Sequence, residues 1–583
     1  MNSEHHHEND PLTPLRHSAA HVMAEAVISF FPDAKLAIGP VIEDGFYYDF
    51  LLPRALTPDD LEPIENKMRE IIDQKSAFER TVITKTEATE MFAEQPFKLE
   101  IIDNIEDETV SLYTQHTFTD LCEGPHVSNT SDIKAFKLLR VAGAYWRGDE
   151  TKEQLQRIYG TAFTKPKDLK IYLASLEEAE KRDHRKLGRD LDLFMFDAIA
   201  PASPFFLPKG ALIYGLLIDY MRDLYAKHGY DEVITPQIFS TDLWKQSGHY
   251  ESYLENMFFI DIDDREFGVK PMNCPAAAML YASQTHSYRE LPIRYADFGR
   301  LHRYERSGVV HGLTRVRSFS QDDAHIFCRF GQIQDEIREF VHMLMASYRT
   351  FGFEDISISL SMRPEKRVGN IEMWDKAEQI LEETLHSLNI SFEVMSGEGA
   401  FYGPKIDFFV KDALRRDWQL GTIQLDFSLP ERFELEYATE EGTLERPVVL
   451  HRALLGSLER FLGILLEHTG GALPTWLAPI QTTVIPIADR HVDYAKTLTH
   501  KIKGFDIRVE MDDGNERMNA KIRKAQLQKI PYMLIVGDQE IETDTVSVRQ
   551  RNGKNLGSTE LNNFISLARD NIESKSAELR DLN

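Results

Sequence analysis

Apolar residues recur at helical spacing from Leu15 to Phe31 and stop at Pro32, so the chain is expected to open on a helix. The stretch Ile38–Phe50 reads as strand, turn and strand, with Asp44-Gly45 as the turn. Around 166–195 the pattern becomes a charged helix. Leu173, Leu176 and Ala179 share one side of it, and Lys181-Arg-Asp-His-Arg-Lys186 follows. That segment reads as a connector with a solvated face, the alternative being a nucleic-acid-binding run. Helical spacing returns at Ile213, Leu216, Leu217, Tyr220, Met221 and Leu224. Glu232–Pro236 then reads as a strand whose proline suits an edge or interface. Several alternating strands come next, and Pro447–Leu465 runs from strand through Gly456 into an apolar helix. This content predicts an antiparallel sheet flanked by helices rather than a doubly wound fold. After Pro474-Thr-Trp-Leu-Ala-Pro479, short β runs at 484–487, 507–510 and 532–536 alternate with helical stretches, which is a small βαβ pattern.

The expected organisation is therefore a polar, disordered leader (1–13), an α+β section (14–165), a helical linker (166–195), a central section (196–477) and a terminal α/β section (478–583). A length of 583 residues suits roughly three or four domains. No apolar run approaches ~18 residues, so no membrane span is expected. Three cysteines, Cys122, Cys274 and Cys328, make no disulfide framework and fit a reducing cytosol. The net charge of −27 argues mildly against a polyanionic partner. It is unevenly spread, however: residues 481–583 hold 16 basic and 16 acidic side chains, so this segment can meet a polyanion locally.

The chemistry concentrates in residues 270–329. Six arginines (294, 300, 303, 306, 315 and 317) lie within 24 residues, against Asp297 and Glu305 only. An Arg-x-Glu in a loop, here Arg303 and Glu305, can clamp a phosphate while the carboxylate orients a base or amino group; solvated surface is the plain alternative. Lys270-Pro-Met-Asn-Cys-Pro275 offers a soft metal ligand, and Ser320-Gln-Asp-Asp-Ala-His-Ile-Phe327 a second ligand beside two carboxylates. Walker-type and Gly-x-Gly-x-x-Gly loops are absent, so ATP use would need another route.

These segments, with Gly-Glu-Gly-Ala-Phe-Tyr-Gly-Pro-Lys405 and Leu-Gly-Thr-Ile-Gln-Leu-Asp-Phe427, resemble the threonyl-tRNA synthetases, a class II aminoacyl-tRNA synthetase family. Three class II signatures fall in order: the helix and strand ending at Pro236, the Arg303-x-Glu305 loop, and the glycine-broken strand–helix carrying Arg460. Arg16-His-Ser-Ala-Ala-His21 and Asp120-Leu-Cys-Glu-Gly-Pro-His126 match the family's editing domain. The resemblance implies an α+β multidomain protein with an N-terminal α+β editing domain, a class II antiparallel sheet flanked by helices, and a C-terminal α/β anticodon-binding domain. The family commonly begins with a small ubiquitin-like domain. Almost nothing precedes Arg16 here, so any tRNA contact by that domain is expected to be absent.

For the synthetic site the resemblance implies Zn2+ on Cys274, His325 and His451. Spacing alone does not group these ligands. A lone cysteine is ordinarily a small hydrophobe, and a lone histidine a satisfied polar group. Three protein ligands leave zinc an open position. That matters because threonine and valine are near-isosteric, and a site that must bond the hydroxyl rejects the analogue lacking it by about 10⁴–10⁵. Asp323 is implied to bind the hydroxyl, with Met272, Gln321, Tyr402 and Lys405 in the substrate pocket. For ATP with Mg2+, Arg303 is implied to hold the α-phosphate and Glu305 the adenine amino group. Arg315 and Arg460 would take the γ-phosphate, and Gln419, Thr422 and Ser457 the ribose and phosphate contacts. His249 matches a position associated with transfer to tRNA.

His17 and His21 share a helix face at four-residue spacing, and Cys122 and His126 have the same spacing. Read alone, that quartet looks like a zinc site. The resemblance implies a hydrolytic pocket for seryl-tRNA instead, completed by Lys98 and Asp120. Asn515, Glu540 and Arg549 match anticodon contacts. The expected whole is a cytosolic homodimer acting on L-threonine, ATP and tRNA(Thr). The rivals are a non-catalytic tRNA-binding paralogue, a free-standing deacylase, and a class II synthetase for another amino acid.

Overall fold

The computed structural model describes residues 10–582, and the chain forms two compact units, residues 1–177 and 178–583. Most of the expected leader (1–9) lies outside the described residues. Asp10, expected to be disordered, is tied down: its carboxylate accepts the Leu12 N–H and pairs with Arg16 at 3.0 Å.

In the first unit the helix Thr13–Phe30 is buried almost all round, because Ala19, Ala20, Ala24 and Ala26 let neighbours approach closely. It packs on a five-stranded antiparallel sheet in which Gly45–Leu51, Gln154–Phe163 and Ala135–Tyr145 are successive neighbours. Phe46, Tyr48 and Phe50 alternate into the core. The predicted turn is displaced by one residue. Glu43 and Asp44 form it, and Gly45 opens the strand, where a Cβ would lie 2.2 Å from the Gly160 carbonyl oxygen. A second, three-stranded sheet (Glu79–Thr84, Thr109–Gln115, Phe118–Leu121) carries Asp120 on its last strand and leads into Cys122. The connector is two helices, Pro166–Arg182 without a buried residue and His184–Asp190 with three. The solvated reading thus holds for the first helix only, since His184 is fully buried inside the charged run.

The second unit centres on an eight-stranded sheet. Its strands run in the order Asp231–Glu232, Ile293–Asp297, Asp323–Cys328, Val448–Ala453, Asp417–Asp426, Lys405–Lys411, Ile356–Ser361, Glu393–Met395. The inner pairs are antiparallel as expected, and the two outermost pairs are parallel. The predicted strand Glu232–Pro236 shrinks to Asp231–Glu232: Ile234 is 90 % exposed and Pro236 has no N–H to extend the ladder. Alternation divides the central strands. Ala324, Ile326, Leu450, Ile423 and Leu425 face a core shared with the helices Pro208–Lys227, Ile333–Thr350 and Leu458–Thr469. The opposite face is polar along the row of His325 and His451 and apolar at Phe327 and Val449. At 482–560 the three expected parallel strands (Val509–Met511, Thr482–Pro486, Tyr532–Val536) are joined by two antiparallel ones, Thr545–Gln550 and Asn555–Glu560. Among the described residues no helix is long and apolar enough to cross a membrane.

Candidate active sites

On the polar face of the large sheet, His325, His451 and Gln424 stand opposite one another across three adjacent strands. Period-two alternation brings Asp323, Ala453, Thr422 and Asp426 to the same face. Cys274 reaches this row from the first turn of the helix Cys274–Ala282. The candidate donor atoms of Cys274, His325 and His451 lie within 4.8 Å of one another. His451 keeps Nε2 2.9 Å from the Asp426 carboxylate, while its buried Nδ1 and the buried Nε2 of His325 have no hydrogen-bond partner. Two unpartnered ring nitrogens beside a thiol fit zinc, with Asp426 orienting one imidazole from behind. Burial works to raise the Cys274 thiol, but His451 and His325 outweigh it and bring it down to about 7.

A cavity of about 480 Å3 opens beside this cluster. His249, Met272, Arg303, Gln321, Asp323, Tyr402 and Thr422 line it together with Cys274 and His451. Burial raises the Asp323 carboxyl, and an amide N–H of Asn273, 3.0 Å away, works against that. Tyr402 donates to Gln424. The Arg303 Nε donates to the Pro271 carbonyl at 3.1 Å, and its guanidinium lies 5.1 Å from the Phe319 ring centre. Burial pulls the His249 imidazole down to about 4, so it is a neutral group near neutral pH, with Nδ1 2.9 Å from Ser247 Oγ.

The other expected nucleotide residues are not among the residues lining this cavity. Glu305 accepts from Arg315 at 2.9 Å, and Arg460 donates to the carbonyls of Gln419 and Thr314, both at 3.3 Å. Ser457 caps the helix that carries Arg460 by accepting that residue's N–H. Gln419 donates to Asp407 at 2.8 Å. Lys405 is not among the lining residues, but it stands opposite Gln424, which is, and its ammonium pairs with Asp407 at 2.7 Å. Asp322, fully buried, accepts the N–H groups of Leu454, Leu455 and Gly456 and so fixes the glycine break ahead of the helix.

In the first unit all six expected editing residues converge. Cys122 Sγ lies 3.3 Å from His17 Nε2 and 3.2 Å from His126 Nε2, and the His21 and His126 ring centres are 4.4 Å apart. Lys98 and Asp120 form a buried ion pair at 2.6 Å, and Tyr48 donates to the same carboxylate at 2.5 Å. A cavity of about 780 Å3 is lined by His17, His21, Tyr48, Lys98, Asp120 and Cys122. Burial lowers the His17, His21 and His126 imidazoles and pushes the Cys122 thiol up to about 12. Neutral imidazoles can take a proton from water, whereas a thiol so protonated is a poor nucleophile. The four donors also lie close enough to hold a metal, so geometry leaves that alternative standing.

In the terminal section, Asn515 is exposed in the loop after Val509–Met511. Glu540 is buried, accepting the Gly537 N–H at 2.9 Å, and Arg549 sits opposite Met533 with its buried Nε unpartnered. Sequence reasoning missed Asn273, Asp426 and Tyr48. The first two lie inside the quoted motifs, and nothing in the linear pattern separates a ligand from the residue that holds it.

Three family models match the chain: the tRNA synthetase class II core domain (G, H, P, S and T) at 257–469, an anticodon binding domain at 481–571, and the threonyl and alanyl tRNA synthetase second additional domain at 110–159. A threonine–tRNA ligase of Bdellovibrio bacteriovorus is 52 % identical over 570 residues, 97 % of this chain and 87 % of its own length. The chain belongs to the threonine–tRNA ligase family. A family member from Dehalococcoides mccartyi is 51 % identical, with 98 % of this chain and 99 % of its own length aligned. Among solved structures, the RNA binding domain of threonyl-tRNA synthetase from Cryptosporidium parvum is similar at TM-score 0.65 and 45 % identity, covering 68 % of this chain and 99 % of that one. A threonyl-tRNA synthetase of Aeropyrum pernix is similar at TM-score 0.61 and 30 % identity, covering 69 % and 98 %.

Proposed function

We propose that the protein is an ATP-dependent threonine–tRNA ligase that activates L-threonine to threonyl-adenylate, transfers it to the 3′ end of tRNA(Thr), and hydrolyses mischarged seryl-tRNA(Thr) at a separate site. The observation that carries this reading is the cluster of Cys274, His325 and His451 beside a cavity that Cys274 and His451 line together with Asp323 and Arg303. Cys274, His325 and His451 would hold zinc, which when bound supplies an open coordination position for the amino and hydroxyl groups of threonine. Asp323 accepts from that hydroxyl, so valine would leave a buried carboxylate unpaired, a loss far larger than a methyl contact. Gln321, Tyr402 and Met272 shape the rest of the pocket.

Arg303 aligns the threonine carboxylate with the α-phosphorus of ATP, brought with Mg2+, and stabilises the charge that grows there. Glu305 accepts from the adenine amino group, and Arg315 and Arg460 take the terminal phosphate as pyrophosphate leaves. Gln419, Thr422 and Ser457 are assigned to ribose and phosphate. The terminal ribose hydroxyl of the tRNA then attacks the adenylate carbonyl, with neutral His249 poised to accept its proton. Serine keeps the hydroxyl and lacks one methyl, worth only about 1–3 kcal/mol. A second sieve is therefore needed, and His17, His21, Lys98, Asp120, Cys122 and His126 are assigned to it. Asn515, Glu540 and Arg549 are assigned to the anticodon. The domain limits 14–165, 166–195, 196–477 and 478–583, a homodimeric assembly and a cytosolic location belong to the same reading.

ATP–pyrophosphate exchange with threonine, serine and valine tests it. Threonine and serine are expected to support exchange and valine to fail. Exchange driven equally by valine would refute the hydroxyl-reading pocket.

A further inference from the structure

His184 sits fully buried at the start of the helix His184–Asp190, inside a run of charges that should lie in water. Its ring bridges two parts of the nucleotide machinery. Nδ1 is 2.6 Å from Glu467 Oε1, near the end of the helix that carries Arg460 at its start. Nε2 is 2.9 Å from the Leu313 backbone nitrogen, in the turn that ends at Arg315. A backbone N–H only donates, so Nε2 must offer its lone pair and the ring proton must sit on Nδ1. Glu467 is held in turn, accepting the His184 backbone N–H at 3.1 Å and pairing with Arg416.

The surroundings are cut to fit this ring. Gly312 has φ +48°, and a Cβ there would lie 2.1 Å from Nε2; a Cβ on Gly463 would press the Leu313 Cβ at 3.3 Å. The turn it grips is closed by His311 and Arg315 pairing through their backbones, and the Thr314 carbonyl accepts from Arg460 Nη1 at 3.3 Å. Arg315 lies close enough to Arg460 to depress that guanidinium further, after burial has done most of it. Bringing two cations together is uphill; Glu305 on Arg315 offsets part of that cost, and His184 adds a buried attachment that fixes the turn against the helix.

We propose that His184 is a positioning residue for ATP: anchored on Glu467, it holds the turn 311–315 in the register that sets Arg315 beside Arg460 for the terminal phosphate. This rests on the assignment of those two arginines to that phosphate. Asparagine and glutamine separate the two halves of the bridge. His184→Asn keeps a donor where Nδ1 stood and loses the acceptor for Leu313; His184→Gln does the reverse.

Steady-state ATP–pyrophosphate exchange, varying ATP and threonine separately, reads the outcome. His184→Asn is expected to raise KM for ATP by about fivefold or more, the effect of one unsatisfied buried N–H, with KM for threonine unchanged. His184→Gln should raise it far less, even where both variants melt at the same lowered temperature. Gly312→Ala, which leaves the histidine in place and blocks its approach, should reproduce the asparagine result. In an Arg315→Ala background the His184→Asn effect on KM for ATP should vanish. Equal rises in both KM values, or an undiminished effect in that background, would overturn the inference alone. An Arg315→Ala variant with unchanged KM for ATP would overturn the phosphate assignment, and the inference with it.

Discussion

Cys274 shows how much one side chain depends on its neighbours. Alone it is a half-buried thiol, but beside His325 and His451 it is brought down to about 7, which suits it to the zinc-ligand role proposed for it. Cys274→Ser is expected to lose bound zinc and threonine-dependent exchange together, because a serine hydroxyl is a far weaker zinc ligand than a thiolate. Metal content by mass spectrometry beside exchange rates checks this, and full activity in a metal-free preparation would remove the assignment. His249 gives a test in pH. Its imidazole falls from 6.5 to about 4 on folding, so the unfolded chain binds a proton between those values that the folded chain refuses. Its contribution is complete above about 6.5 and is lost as pH falls toward 4, reaching about 2 kcal/mol at pH 5. His249→Gln should therefore lose less stability than the parent between pH 7 and pH 5, as denaturant melts would register. A parallel decline in both proteins would contradict the neutral assignment, as would undiminished tRNA charging by the variant for its transfer role.

At the scale of elements, the helix Thr13–Phe30 carries the proposed editing histidines and core packing on the same turns. His17 and His21 project toward Cys122 and His126 while the alanines between them let the sheet approach. Changing His17 and His21 to Ala is expected to leave threonine activation intact and to slow seryl-tRNA hydrolysis by about a hundredfold or more, the low end of what a general base supplies, so that seryl-tRNA accumulates. If the quartet instead holds a structural metal, the same variant should release that ion and lower the melting temperature. Seryl-tRNA yield measured beside bound zinc and the melting curve separates the two, and normal serine clearance by a folded double variant rules out the hydrolytic role.

For the whole molecule, the decisive feature is the helix Pro166–Arg182, which has no buried residue and spans the boundary between the two compact units. Each unit has its own apolar core. Cleavage within 170–178 should therefore yield two folded pieces, with exchange retained by the larger and deacylation of seryl-tRNA by the smaller. Limited proteolysis followed by gel filtration and both assays tests this. Collapse of exchange on cleavage would mean that the larger unit depends on the smaller. The same independence is not expected at 477/478. There Arg551 donates to the carbonyls of Ala472 and Leu473, and Arg508 to that of Trp476, which ties the terminal section into the larger unit.

Periodicity alone foretold the opening helix, the antiparallel centre of the large sheet, the break at Gly456 and the three parallel strands of the terminal section, because burial of one face leaves its period in the chain. The quoted motifs carried the family, and most of the proposed site residues lie within them. Only the tertiary structure could join Cys274, His325 and His451. They lie 51 and 126 residues apart, and strand pairing, not local spacing, sets two of them side by side. The same holds for the residues that serve others. Asp426 behind His451, Asn273 on Asp323, Tyr48 on Asp120 and His184 between Glu467 and Leu313 are ordinary polar letters in the sequence. Their roles arise only when folding removes water and leaves each buried polar atom one partner to find.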